Sequence, residues 1–405
     1  MSSDEKTYHE DELVAPTWLN AQFLEQVLSS YEADDQVKVR SVNISPATLK
    51  GDHYASIMFR ANVKYTNKKG DNTKSLIIKT MPEVEGFKKD QLSESHIFKT
   101  EIGMYSEMLP EVERILRAAG DDTKLCAECI YYSLEPNQVI IFEDLVVRDY
   151  TVLRDREPTI SDTKLALSKV AKLHAITYKL LKDLPKIMED PCMDSMPYFI
   201  KMLEDYPQLT KYKPYFENIR KTYLTRCRDA FVEYRENPQE NFYYVLCHGD
   251  LFRRNMMFKH QAETGELEDC LLLDFQMSNV GPMPNDIIYA LYQLFSPDQR
   301  INHRDELIEY YFAENIKTLK KIGYTGELPK LTVFKEHLFR LRYMEIFLLI
   351  SFLPLIYGLK KQQAVDAPSW RDSEDLRHSF YHNDDYAKEV EQRLQYFVNK
   401  GYFQE

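Results

Sequence analysis

Between residues 54 and 65 the chain reads YASIMFRANVKY, and its apolar and polar positions alternate. Ala55, Ile57, Phe59, Ala61, Val63 and Tyr65 fall on one face, the period-two pattern of a half-buried strand. A polar turn, Asn67 to Asp71, separates it from SLIIKT at 75 to 80, which predicts a returning strand. Residues 17 to 31, TWLNAQFLEQVLSSY, carry apolar positions at helical spacing instead. A second helix is predicted over 94 to 108, with Pro110 expected to stop it. YYSLEP and QVIIFEDL then predict a hairpin with Pro136 and Asn137 in its turn.

After about residue 150 the helical period takes over, beginning with SDTKLALSKVAKLHAITYKLL at 161 to 181. One strand-rich island interrupts it at 242 to 275: a strand into HGD, a short strand MMFKH, a turn at Glu263-Thr264-Gly265, then LLLDF. From Pro284 onward the chain reads as aromatic-rich helices. The uncharged run from Ile346 to Leu359, 14 residues with Pro354 inside it, is too short to span a bilayer and predicts a buried helix. The fold class expected is α+β in two lobes, a small sheet-plus-helix lobe over residues 1–145 and a larger, mostly helical lobe over 146–405.

Composition narrows the function classes. The length of 405 residues gives two to three units at roughly 150 each, and 44% hydrophobic with 29% charged residues excludes a wholly disordered chain. A net charge of −12 lacks the basic stripe that a nucleic-acid partner needs. The acidic, polar opening MSSDEKTYHEDELVAP has no apolar signal core, so a cytoplasmic protein without a membrane span is expected. Nothing in the pattern calls for an obligate protein partner. Six cysteines are too few for a disulfide scaffold, and Cys126-Ala-Glu-Cys129 precedes a strand with no second pair, which predicts ordinary buried thiols. GxGxxG and GxxxxGK[ST] are both absent.

The chemistry concentrates in the island. His248-Gly249-Asp250 is followed five positions later by Asn255, and nineteen residues on by Asp274-Phe275. Alone, each acid or amide would be a turn or capping residue. Together, at successive strand ends, they reproduce the HRDxxxxN and DFG order of phosphoryl-transferring kinases. In that chemistry one Asp accepts the hydroxyl proton, and the Asn and second Asp hold Mg²⁺ against the nucleotide phosphates. Such a site also needs a strand lysine for the phosphates and a helix glutamate to orient it. Lys79 ends the apolar strand SLIIKT. Phe98, Glu101, Ile102 and Tyr105 share one helix face, so Glu101 lies in an apolar stripe where a carboxylate wants a cation. For the phosphate-covering loop only Gly51 is available, with Ser56 close behind.

HGDLFRRNMMF, LLLDFQ, IFEDL and KLHA resemble the choline kinase and aminoglycoside phosphotransferase branch of the protein kinase-like fold. With PTWLNAQFLEQVL and FKTEIGMYSEMLP, the chain resembles more closely the insect ecdysteroid kinase-like (CHK kinase-like) family, from about Trp18 to the final helices. The resemblance implies ATP and Mg²⁺ as cofactors, Asp250 as catalytic base, Asn255 and Asp274 as metal ligands, and Lys79 with Glu101 as the phosphate-anchoring pair. It implies that the backbone near Glu143, Asp144 and Leu145 faces the adenine, and that His248 and Asp286 brace the catalytic loop. His174 is expected to be a packed helix histidine. The glycine of DFG is replaced by Gln276, and Phe252 stands where protein kinases carry a lysine. Arg253 and Arg254 either neutralise phosphate or pair with surface acids.

The acceptor is less legible. Ile287, Tyr289, Leu291, Tyr292 and Leu294 are expected to pack a helical core. The resemblance implies a small-molecule hydroxylated substrate, an ecdysteroid or another steroid or xenobiotic alcohol, and a detoxifying or inactivating role. The alternatives are a choline- or amino-sugar-type kinase of the same fold and a catalytically silent scaffold that binds a hydrophobic ligand.

Overall fold

The computed structural model describes residues 14–47, 57–81, 96–154, 156–180, 194–361 and 373–404. The chain divides into two compact units, residues 1–110 with 126–151, and residues 111–125 with 152–405.

In the first unit, α1 (Ala21–Glu32) begins at Asn20, whose side-chain oxygen accepts from the amides of Gln22 and Phe23. That cap sets the start four residues later than the apolar spacing alone suggests. The strands β1 (Lys38–Pro46), β2 (Ile57–Asn67) and β3 (Gly70–Thr80) follow. Next come α2 (Ile97–Gly103), then α3 (Leu109–Ala118), which from Glu111 onward belongs to the second unit, and, back in the first, β4 (Cys129–Ser133) and β5 (Val139–Glu143). The five strands form one antiparallel sheet in the order β1-β2-β3-β5-β4. Alternation in β2 works as read: Ile57, Phe59, Ala61, Val63 and Tyr65 are buried, and with Leu76, Ile78 and Ile141 they pack against Leu24, Val27 and Leu28 of α1. Lys79, one residue out of phase with Ile78, belongs to the opposite face.

Pro110 does not stop the helix. Residues Met104–Met108 make a π-helical turn in which Leu109 N–H bonds to Met104 O, and α3 then runs on to Ala118. The widened turn shifts the bonding register just before Pro110. The missing proline N–H therefore falls at a junction, where the helix interior loses least.

The second unit is mostly helical. It contains α4 (Ile160–Leu180), α5 (Met196–Asp205), α6 (Lys213–Ile219) and α7 (Tyr223–Glu236). The strand-rich island follows: β6 (Tyr244–Cys247), β7 (Met256–His260), β8 (Leu267–Leu272) and β9 (Asn279–Pro282), with β7 and β8 a hairpin and β6 paired antiparallel to β9. Then come α8 (Pro284–Gln293), α9 (Pro297–Asn302), α10 (Arg304–Lys321), α11 (Leu331–Arg340), α12 (Arg342–Ser351), α13 (Leu353–Lys361), α14 (Glu374–Tyr381) and α15 (Asp384–Asn399). The run Ile346 to Leu359 is two helices rather than one, broken at Phe352, because Pro354 enters in the first turn of α13, where no intrahelical N–H is needed. No helix among the described residues is long and apolar enough to cross a membrane.

A charged cluster is buried among these helices. Glu345 of α12, 1% exposed, accepts from Arg304 at 3.0 Å, Arg393 at 2.5 Å, Tyr402 at 2.8 Å and Tyr292 of α8 at 3.2 Å. Arg300 grips Glu389 through two nitrogens, and Tyr357 donates to the same carboxylate. Burial alone would raise the Glu345 pKa, but Arg304 and Arg393 outweigh it and hold the carboxyl below its ordinary value. Its stabilisation is therefore present above the unfolded pKa and lost as pH falls through the depressed folded value. Glu345→Gln should cost about 3–5 kcal/mol at neutral pH, because two buried arginines lose their carboxylate. Urea denaturation across pH 3–7 checks this, the variant losing less further stability on acidification than the wild type.

Candidate active site

The catalytic loop leaves β6 at Cys247 and turns sharply at Gly249. Gly249 has φ +85°, and a Cβ there would lie 2.1 Å from Met277 O, so this position excludes any side chain. A buried carboxylate holds the loop in place. Asp286, in the first turn of α8, accepts from the amides of His248 at 2.7 Å and Gly249 at 3.0 Å. His174 Nε2 donates to the same carboxylate at 3.0 Å, and its Nδ1 accepts from Tyr311 at 2.6 Å. Burial would push the Asp286 carboxyl up, but the hydrogen bonds from His174 and the Gly249 amide keep it below the usual carboxylate range. His174 is thus a buried structural histidine of α4, one step behind the loop.

His248 ties the loop to the next strand. Its Nε2 donates to Leu273 O at 2.9 Å, which leaves Nδ1 to accept from Asp250 N at 3.3 Å. The chain then makes a tight turn through Phe252 N to Asp250 O and Asn255 N to Phe252 O. Leu273 N donates to Asn255 O at 2.9 Å, so the residues just before and just after the β7–β8 hairpin are joined. Asp274 follows in the left-handed region at φ 60°, a conformation that costs a side-chain-bearing residue and concentrates at functional sites.

Asp250 and Asn255 are brought together. Asn255 Nδ2 donates to Asp250 Oδ2 at 2.8 Å, and the Tyr289 hydroxyl of α8 donates to Oδ1 at 2.6 Å. Both carboxylate oxygens are therefore oriented. Burial raises the Asp250 pKa, the Asp274 charge adds to the rise, and the bonds from Tyr289 and Asn255 oppose it. Tyr289 is the residue that sequence reasoning missed, since a tyrosine in an apolar helical stripe reads as core. The available signal was its place three residues after Asp286, on the same face of α8.

In the first unit Lys79 of β3 pairs with Glu101 of α2 at 2.5 Å, with both side chains at most 4% exposed. Phe98, Ile102 and Tyr105 are buried on the same helical face. Asp144 is 2% exposed and serves the fold: it accepts from Arg60 at 2.7 Å, Ser75 at 2.7 Å and Val146 N at 3.1 Å, bracing β2 and β3 and capping the turn Leu145–Arg148. Glu143 accepts from Arg148 at 2.7 Å and from Glu128 N at 3.0 Å, and Leu145 is buried. Any nucleotide contact in this stretch falls to the backbone, because the two acidic side chains are already engaged. Gly51 and Ser56 lie outside the described residues. Arg253 pairs with Glu157 at 3.1 Å, and Arg254 lies over the Phe252 ring. The described cysteines are free thiols, and burial pushes Cys129 up to about 12, the wrong direction for redox or metal chemistry.

The sequence profile of the ecdysteroid kinase-like family matches residues 50–324, about two thirds of the chain. The chain belongs to that family. This ecdysteroid kinase-like chain has the element order of the protein kinase-like fold: a sheet unit with a strand-lysine and helix-glutamate pair, then a helical unit carrying the Asp-Asn-Asp loops. Among solved structures it is similar to wild-type aminoglycoside 2'-phosphotransferase-IIIa in its GDP complex (13% identity, TM-score 0.38, covering 90% of this chain and 99% of that one). It is also similar to amicoumacin kinase in complex with AMP-PNP, Ca²⁺ and Ami (16% identity, TM-score 0.35, 88% and 93%). A third is choline kinase LicA from Streptococcus pneumoniae (14% identity, TM-score 0.35, 91% and 98%). No curated protein sequence matches the chain.

Gly249→Ala should destabilise the protein by at least about 1–3 kcal/mol, from the positive φ alone, with the steric clash adding to it. Urea denaturation measures this, and an unchanged midpoint would remove the steric reading of the loop.

Proposed function

We propose that this protein is an ATP- and Mg²⁺-dependent kinase that phosphorylates a hydroxyl of a hydrophobic small molecule, an ecdysteroid or a related steroid or xenobiotic alcohol. The observation that carries the reading is the Asp250 carboxylate, held through both oxygens by Tyr289 and Asn255 on a loop fixed by Asp286. Family membership supports the substrate class.

Asn255 and Asp274 fit a hard divalent cation. Both offer oxygen donors, Asn255 through Oδ1 because its Nδ2 is committed to Asp250, and the Asp274 charge beside Asp250 is one that a cation would relieve. When bound there, Mg²⁺ supplies charge neutralisation for the nucleotide phosphates. The protein's own groups do the rest. Lys79, oriented by Glu101, holds phosphate oxygens. Asp250 accepts the proton of the acceptor hydroxyl as its oxygen bonds to the γ-phosphorus, while the bond from that phosphorus to the β,γ-bridging oxygen breaks and ADP leaves with the electron pair. The raised pKa of Asp250 favours this proton transfer, and the product is a phosphate monoester, more polar than the alcohol.

The test is transfer of label from γ-labelled ATP to a panel of hydroxylated steroids and other apolar alcohols. Asp250→Ala should lower turnover about 10²–10⁴-fold while Mg-ATP binding persists; equal turnover would take the role of base away from Asp250. Lys79→Met should weaken nucleotide affinity, read by fluorescent-nucleotide titration, and an unaltered affinity would sever Lys79 from the phosphates. Tyr289→Phe should reduce kcat while leaving nucleotide affinity as it is, because only the aim of the carboxylate changes; a variant as active as the wild type would make Tyr289 a packing residue. Bound Mg-ATP with no product from any alcohol would favour a ligand-binding scaffold instead.

A further inference from the structure

A group of ligating side chains away from the catalytic loop has no part in the chemistry above. Asp205 ends α5, His378 lies in the last turn of α14, and His382 caps that helix. The two imidazoles, four residues apart, stack with ring centroids 3.9 Å apart and planes 13° from parallel. One nitrogen of each ring and one Asp205 carboxylate oxygen lie within 4.8 Å of one another. All three side chains are at least partly open to solvent.

The tautomer of His382 is fixed by its neighbours. Its Nδ1 lies 2.9 Å from His378 O, and a carbonyl can only accept, so Nδ1 carries a proton. Nε2 is thereby directed at Asp205 Oδ2, 2.8 Å away. Backbone locking of Nδ1 with Nε2 presented outward is the way proteins orient metal-bound histidines. The C-terminal end of α14 adds its negative dipole. The second Asp205 oxygen, Oδ1, is taken by Lys201 at 2.7 Å, which fixes the carboxylate's orientation and lowers the net negative charge of the site. With two imidazole nitrogens and one carboxylate oxygen, the donor set disfavours Mg²⁺ and Ca²⁺, which want several oxygens, and favours borderline cations.

We propose that Asp205, His378 and His382 form a surface binding site for a borderline divalent metal ion of the Zn²⁺ type, which clamps α14 to α5. Bonds to such an ion run about 2.0–2.1 Å from imidazole nitrogen and about 2.0–2.2 Å from carboxylate oxygen, so the stacked rings turn away from parallel when both bind it. The ion would link positions 177 residues apart in the chain (Asp205 and His382). The clamp is independent of phosphoryl transfer.

Calorimetric titration of the full-length, metal-stripped protein with ZnCl₂ tests the proposal without any activity measurement. The expected result is one Zn²⁺ per chain that a large excess of Mg²⁺ does not displace, because two imidazoles and one carboxylate favour the borderline ion. His378→Ala with His382→Ala should abolish this binding, and Asp205→Asn should weaken it at least about tenfold, the loss of one ligand bond. Cys126→Ser with Cys129→Ser should leave it intact. Zinc should raise the melting temperature of the wild type and not that of the double-histidine variant. Should that variant fail to fold, diethyl pyrocarbonate labelling of the wild type replaces it, with zinc expected to shield His378 and His382. Absence of zinc binding, binding that survives the histidine substitutions, loss on cysteine substitution, equal competition by Mg²⁺ or unshielded histidines would each overturn the site, leaving a hydrogen bond between His382 and Asp205.

Discussion

One buried carboxylate organises the catalytic loop. Asp286 receives two consecutive backbone amides and one imidazole N–H, and it sits in the first turn of a helix, where the dipole favours an anion. An acid so completely hydrogen-bonded stays ionised inside the protein, and the ionised form is what holds the loop. The glycine between His248 and Asp250 completes the constraint, because only a residue without Cβ can follow the path past Met277 O that the two amides dictate. Asp250 then has little freedom left, and Tyr289 and Asn255 remove most of what remains.

Charge pairing in low-dielectric surroundings recurs in each unit but serves different ends. Lys79 and Glu101 form a single pair on the sheet face opposite the α1 core. In the helical unit, Glu345 and Glu389 are surrounded by three arginines and several tyrosine hydroxyls. The first arrangement leaves an ammonium group fixed in direction, which suits a phosphate partner. The second spends its charges on one another and on tyrosines, which suits a structural role. The difference lies in the surroundings, since the residue types are nearly the same.

Much of this was legible in the linear order of residues. The alternation in β2 and the stripe Phe98, Glu101, Ile102, Tyr105 follow from backbone periodicity alone, and the stripe placed Glu101, while Lys79 stood out at the end of SLIIKT once the kinase order called for a strand lysine. Asp250, Asn255 and Asp274 stood out because acids and amides at the ends of apolar strands demand partners. What stayed hidden depends on three-dimensional context. Tyr289 looks like core until its hydroxyl finds Asp250, and nothing in the order of residues foretells that Arg60 and Ser75 engage the Asp144 side chain. Pro110 and Pro354 carry the same local signal, yet one follows a π turn inside a continuing helical run and the other starts a new helix. A proline forbids one hydrogen bond; the surrounding turns decide whether that bond was needed.

Helix α8 carries Asp286, Tyr289 and Tyr292 at successive three-residue steps, and each holds something different: the loop backbone, the Asp250 side chain and the buried Glu345. A ten-residue helix spans only about 15 Å and is stiff over that length. It therefore works as a connecting rod between the arginine cluster and the loop. A small slide of this rod along its axis would move the loop backbone and the aim of its acidic side chain together, so the orientation of one reactive oxygen is set partly by how well a distant group of arginines is packed.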